Sequence, residues 1–126
     1  MLKLIALALA GGLGTLARYG LSGLVHRYSK ETFPFGTLVV NLVGCLFIGL
    51  VMHRVVEHPL FTPEARVVLV VGLLGGFTTF SAFGYETVEL VRGGALLPAA
   101  LNVAGSVAGG MAAVWLGGAA GRALGL

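Results

Sequence analysis

Two asparagines, a short set of hydroxyls, an arginine and a carboxylate are the side chains here whose types and spacing could do chemistry. All lie inside strongly apolar stretches. Thr37 and Asn41 are four residues apart, as are Asn102 and Ser106, so each pair shares one helix face. Thr78, Thr79 and Ser81 make a third group, with Glu86 and Glu89 further along, and Arg18 followed by Tyr19 makes a fourth. No member decides alone. Hydroxyls in apolar helices commonly bond their own preceding carbonyls, asparagines can bridge helices, and an arginine can snorkel to lipid headgroups. The collection is more informative. It holds amides, hydroxyls and a guanidinium, with no histidine, no cysteine pair, and no carboxylate within residues 4–25 or 35–52. Donors without acceptor charge suit an anion, and polar groups at such depth ordinarily face protein or a water-filled path.

The segment "GGFTTFSAF" (75–83) is a poor continuous helix. Glycine costs about 1 kcal/mol relative to alanine, and threonine competes for the backbone. The third apolar stretch is therefore expected to break in mid-membrane. Carbonyls freed there must be satisfied, and half-helix carbonyls meeting at a two-fold axis could coordinate a cation such as Na⁺. Beyond the break, Phe80 and Phe83 are three apart and project to one side. Ring edges are electropositive and can contact a small anion. Equally, the two rings can simply pack, and spacing alone leaves both readings open.

The elements that must position these groups follow from composition. The 126 residues are 57% hydrophobic and only 10% charged, with a mean hydropathy of +0.98. A soluble domain carries about a quarter charged residues, so the solvent for most of this chain is lipid. Crossing the hydrocarbon takes about 20 apolar residues. Residues 4–25, 35–52, 67–91 and 97–116 qualify, which predicts an all-α membrane protein with four transmembrane helices in one module, 1–126. Thr62-Pro63-Glu64 reads as an N-cap with proline at the first helical position, so the third span begins outside the bilayer. Lys3 and Ala8-Leu9-Ala10 outline a cleavable leader, but the apolar pattern runs past that site and the stretch is expected to remain as the first span. Glycine pairs Gly72/Gly76, Gly105/Gly109 and Gly117/Gly121 offer smooth faces for close helix packing. Cys45 has no partner in the chain and is expected to pack.

Charge bears on orientation and on partners. The net charge is +3, yet the basic residues stand singly near the ends of apolar runs, which suits interfacial anchoring and excludes a nucleic-acid surface. With the N-terminus inside, the inner loops hold Lys3, Arg54, Arg66 and Arg122, and the outer ones Arg27, Lys30 and Arg92. Four against three is almost no positive-inside bias. Such a chain is expected to insert both ways. Four short helices are too few to enclose a polar pore, and an antiparallel, dual-topology homodimer answers both points.

Three stretches, "GGLGTLARY" (11–19), "FPFGTLVVNLVGCLFIG" (33–49) and "GLLGGFTTFSAFGYE" (72–86), resemble the Fluc (CrcB) fluoride channel family, and the likeness covers all four spans. The resemblance implies an inner-membrane ion channel, not an enzyme, that exports fluoride passively through two pores of an antiparallel homodimer. By motif, Phe80 and Phe83 look like the family's pore phenylalanines, Asn41 like its pore asparagine, and Arg18 like the arginine near the vestibule. The carbonyls of Gly75 and Thr78 match positions that hold a central structural Na⁺. Ser81, Thr37, Thr79 and Ser106 fall where a polar track is expected, and Glu86 matches an acidic position. Two departures stand out: Ala82 replaces a usual threonine, and Asn102 a frequent tyrosine. The main rival reading is a small dual-topology, proton-coupled multidrug exporter, which needs an embedded carboxylate that the first two spans lack. A non-transporting scaffold is a second.

Overall fold

The computed structural model describes residues 1–29, 32–57 and 61–125, with the backbone alone for 53–57. Lys30 and the side chain of Arg54, both counted in the charge balance, lie outside the described residues. Every regular element among the described residues is a helix, and there are no strands among them. Helix α1 spans Leu2–Tyr28 and α2 spans Phe35–Glu57. The third stretch begins as α3, Pro63–Val67, widens into a π-helix over Val68–Leu74, and returns to a short α4, Gly75–Phe77. Helix α5, Phe80–Arg92, follows, and α6 spans Leu96–Ala123. Four segments are long and apolar enough to cross a membrane: Leu2–Tyr28, Phe35–Met52, Pro63–Arg92 and Leu96–Ala123.

Local chemistry sets the ends. His26 and Arg27 occupy the last turn of α1, where the helix dipole favours positive charge. Thr62 caps α3 by accepting from the Ala65 N–H at 3.2 Å, with Pro63 in the first turn, as its sequence predicts. The tight link between α5 and α6 uses a positive φ, +76°, at Gly94, and the Ala95 N–H reaches back to the Leu90 carbonyl at 2.9 Å. The π-helix has no counterpart in the sequence reading. Apolar periodicity gives no signal for it, because every residue of VLVVGLL is apolar or glycine.

Packing separates the two halves of the third span. The π-helix and α4 lie on α1, whereas α5 lies chiefly on α6, and α2 packs along α6 and against α1. The chain crosses over α2 between those two halves. All three expected glycine pairs face a neighbouring helix. Gly117 requires its lack of a side chain: a Cβ there would run into the Leu46 carbonyl of α2. Few side chains among the described residues are buried, namely Pro34, Val40, Leu90, Ala99 and the polar Asn102. The chain exposes 7966 Å², where a globular chain of its mass exposes about 6300 Å². Large apolar residues such as Leu13, Leu97, Met111 and Trp115 face outward.

Gly117→Ala places a methyl against the Leu46 carbonyl. Overpacking of this kind costs about 1–3 kcal/mol, so the thermal unfolding midpoint in detergent falls. Gly12→Ala, where nothing in the chain lies within 4 Å of the new atom, leaves the midpoint near that of the unaltered protein.

Candidate functional site

The centre of the site is the connection from α4 to α5. Thr78 (φ −83°, ψ 161°) and Thr79 (φ −149°, ψ 110°) are both extended. The Thr78 hydroxyl bonds the Leu74 carbonyl at 3.1 Å, the self-satisfying habit of threonine in apolar helices. Thr79 is held from outside. Its N–H donates to Asn41 Oδ1 at 2.8 Å, and its carbonyl accepts from Asn41 Nδ2 at 3.0 Å. A side-chain amide thus takes the place of a paired backbone. The Thr79 hydroxyl then caps α5 by accepting from the Ala82 N–H at 3.2 Å, and it lies 3.3 Å from the Ser81 hydroxyl.

These bonds redirect two donors. In an unbroken helix the Thr79 N–H would serve the Gly75 carbonyl, and the Ala82 N–H would serve Thr78. Here both N–H groups are bonded to side-chain oxygens of Asn41 and Thr79. The Gly75 and Thr78 carbonyls therefore lose their helical donors. They are the two positions that the resemblance assigns to a cation, and neutral oxygens of this kind suit a hard cation. Among the described residues no group of three or more His, Cys, Asp or Glu side chains could hold a metal.

A polar cleft of about 320 Å³ lies beside this connection, between α1, α2 and α5. Thr15, Arg18, Tyr19 and Ser22 line it from α1, Thr37 and Val40 from α2, and Thr79, Ala82 and Glu86 from the third span. Thr37 donates to Glu86 Oε1 at 2.7 Å. Glu86 Oε2 is buried and bonded to nothing among the described residues. Arg18, half-buried in the same cleft, forms no ion pair with it. The cleft thus holds one positive group and one carboxylate oxygen facing no donor.

The structure brings Arg18, Thr37, Thr79 and Glu86 together, with Asn41 adjoining at Thr79. Phe80 and Phe83 lie apart from the cleft lining, their ring centroids 5.4 Å apart and the planes tilted by 45°. Phe80 is 83% exposed, so the Phe83 ring covers little of it. Phe83 is half-buried and Ser81 exposed. Ser106 presents a buried hydroxyl that bonds nothing among the described residues. Asn102 is 1% exposed and donates to the Thr87 hydroxyl at 2.9 Å. Glu89 sits at the exposed end of α5 and pairs with Arg92 at 2.9 Å. Sequence reasoning passed over Thr15, Ser22 and Thr87. The first two had a readable signal, since Thr15, Arg18 and Ser22 recur three and four apart on one face of α1.

Comparison with known proteins is consistent over almost the whole chain. The family described as CrcB-like protein, Camphor Resistance (CrcB), matches residues 5–118. The chain is 48% identical over 117 residues to the fluoride-specific ion channel FluC of Geobacter metallireducens, covering 93% of this chain and 94% of that one. It is 46% identical over 122 residues to the protein of that name from Nitratidesulfovibrio vulgaris, covering 97% and 98%. For the one from Methylobacillus flagellatus the figures are 45% over 118 residues, 93% and 92%.

Asn41→Leu removes both partners of Thr79 while keeping a side chain of similar size. Leaving buried backbone groups unbonded costs about 1–3 kcal/mol, so the unfolding midpoint drops clearly. Thr15→Ala deletes an exposed hydroxyl that bonds only its own helix, at the Gly11 carbonyl, and the midpoint stays where it was.

Proposed function

This chain belongs to the CrcB-like family, and on that premise we propose that it is a fluoride-selective ion channel. In this reading fluoride leaves the cytoplasm passively through two pores of an antiparallel, dual-topology homodimer in the inner membrane, with a structural Na⁺ at the dimer interface. The carrying observation is the near-full-length match to relatives whose names specify fluoride. The protein is a multi-pass membrane protein, and nothing in the proposed activity makes or breaks a bond.

Fluoride is small and strongly hydrated, so a narrow route must replace its water with donors that bind weakly enough to release it. Arg18 supplies positive charge at the polar cleft, which serves as the mouth. Asn41 uses one amide hydrogen on Thr79 and keeps the second for the anion. Ser106 keeps its hydroxyl hydrogen, since it bonds nothing among the described residues, while Thr79 and Ser81 share one between them. Thr37 differs, because its hydrogen is committed to Glu86; it can serve an anion only by turning away from that carboxylate. Phe80 and Phe83 present ring edges beyond Asn41, offering a weak positive field without a full charge. Rejection of chloride follows from the narrowness of such a route.

The α4–α5 connection lies in mid-bilayer in this reading and meets its inverted copy there. The Gly75 and Thr78 carbonyls, which lack their helical donors, would hold Na⁺ together with the same pair from the second copy. When bound, the ion supplies positive charge on the dimer axis and ties the two chains together. The outward-facing apolar residues give the second copy something to cover.

In liposomes carrying the purified protein, a fluoride electrode records efflux, and chloride and cationic drugs stay trapped. Absence of fluoride flux, or equal passage of chloride, overturns the reading. Phe80→Ile and Phe83→Ile each lower flux by roughly tenfold, the effect of about 1.4 kcal/mol on a barrier, with the dimer intact. Exchanging Na⁺ for a bulky organic cation weakens the dimer on size-exclusion chromatography; identical elution in both would remove the central ion from the scheme.

A further inference from the structure

Helix α5 carries both phenylalanines and is the least anchored long helix of the chain. Leu90, near its far end, is its one buried residue, and it packs chiefly on α6. How its first turns are held therefore decides where the aromatic rings sit. Phe80 is largely exposed and meets only the Phe83 ring among the aromatic residues described. Phe83 is different.

A directed series of hydrogen bonds runs from α6 to the backbone of Phe83. Asn102 Nδ2 lies 2.9 Å from Thr87 Oγ1, and Thr87 Oγ1 lies 2.7 Å from the Phe83 carbonyl. The order of donors is forced. An amide nitrogen can only donate, so the Thr87 oxygen accepts there and spends its single hydrogen on Phe83. A threonine bonding the carbonyl four residues back is common and means little alone. The addition here is a second bond from a side chain that is 1% exposed and belongs to another helix. That bond fixes the Thr87 rotamer and ties the Phe83 peptide plane to α6. The plane in turn fixes the direction in which the Phe83 side chain leaves the backbone.

We propose that Asn102 and Thr87 are positioning residues that hold Phe83 in its working orientation, an inference that rests on the channel reading above. Neither touches the anion. Asn102 acts through Thr87, and Thr87 through the Phe83 carbonyl, so the pair behaves as one unit. The asparagine at this place in α6 then has its role inside the protein rather than in the pore lining. Phe80, the first residue of α5, is placed instead by the Asn41 bonds to the adjoining Thr79 and by the Phe83 ring.

The test uses the full-length protein in liposomes, with fluoride and chloride efflux normalised to the amount of folded dimer. Asn102→Leu removes the donor at similar volume, and Thr87→Val removes the relay hydroxyl at the same shape. Each lowers fluoride flux per dimer by about tenfold and admits measurable chloride. The double variant is no worse than the worse single one, as expected for residues acting as a unit. Thr87→Ser, which keeps the hydroxyl, restores flux and selectivity. Merely structural glue would reduce the yield of folded dimer and leave flux per dimer and chloride exclusion unchanged. That outcome, with the unaltered protein conducting, overturns the positioning role alone. An unaltered protein that passes no fluoride overturns the channel reading and this inference with it. If Asn102→Leu does not assemble, Thr87→Val and Thr87→Ser carry the comparison.

Discussion

Two hydrogen bonds between the Asn41 carboxamide and the Thr79 backbone are the constraint on which the rest of the arrangement depends. In hydrocarbon every backbone polar group needs a partner inside the protein, which is why spans are helical. A segment that leaves the helix for two residues must find replacements. The carboxamide is a peptide group carried on a side chain, with one acceptor and donors at the right spacing. It therefore pairs with an extended residue much as a neighbouring strand would. Without it, the extended Thr79 would leave an N–H and a carbonyl unbonded in apolar surroundings. With it, the third span changes neighbours, leaving α1 and arriving on α6. The same two bonds divert the N–H that the Gly75 carbonyl would otherwise receive.

The polar groups around this connection fall into two kinds, sorted by where their hydrogens go. Thr15, Thr78 and Thr87 each donate to the carbonyl four residues back. Thr37 donates to a carboxylate. These hydroxyls are occupied and serve structure first. Ser106 and the Thr79–Ser81 pair are not fully committed, and Asn41 has an amide hydrogen in reserve. Residue type alone would group all of them as polar pore candidates. The bonding pattern separates those that hold the framework from those with a hydrogen still to give. Glu86 belongs with the framework through Oε1, while its unbonded Oε2 sets the cleft's acceptor character against the charge of Arg18.

Much of this was legible in the sequence because it follows from length, hydropathy and spacing. The four spans, the Thr62 cap and the facing glycine pairs each depend on a local rule that tertiary context rarely overrides. The Phe80–Phe83 contact also follows from a three-residue spacing on a helix. The π-helix at Val68–Leu74 was not legible, since a run of uniformly apolar residues reads the same at either helical pitch. Thr87 was missed because a lone hydroxyl in an apolar helix is usually self-satisfied; its second bond comes from fifteen residues away. Asn102 could be read as a departure from a family pattern, but its partner could not. The Asn41 pairing spans 38 residues, and a hydrogen bond of that range has no signature in either segment taken alone.

The burial pattern shows why such bonds matter more here than in a water-soluble fold. Among the described residues Pro34, Val40, Leu90 and Ala99 are the few apolar side chains that are buried, and lipid tails solvate leucine about as well as another helix does. Removing apolar surface from the surroundings therefore does little to hold these helices in register. Close backbone contact at glycines and a few directed polar bonds must do so. Polar tethers fix particular atoms, whereas apolar packing fixes only a volume. Asn41 holds the start of α5, Thr37 holds its middle at Glu86, and Asn102 holds it at Thr87 from the other side. A helix that buries a single residue of its own is thereby located from α2 and α6 together. The same side chains that look, by composition, like the site of an activity are also what makes a defined site possible on so thin a scaffold.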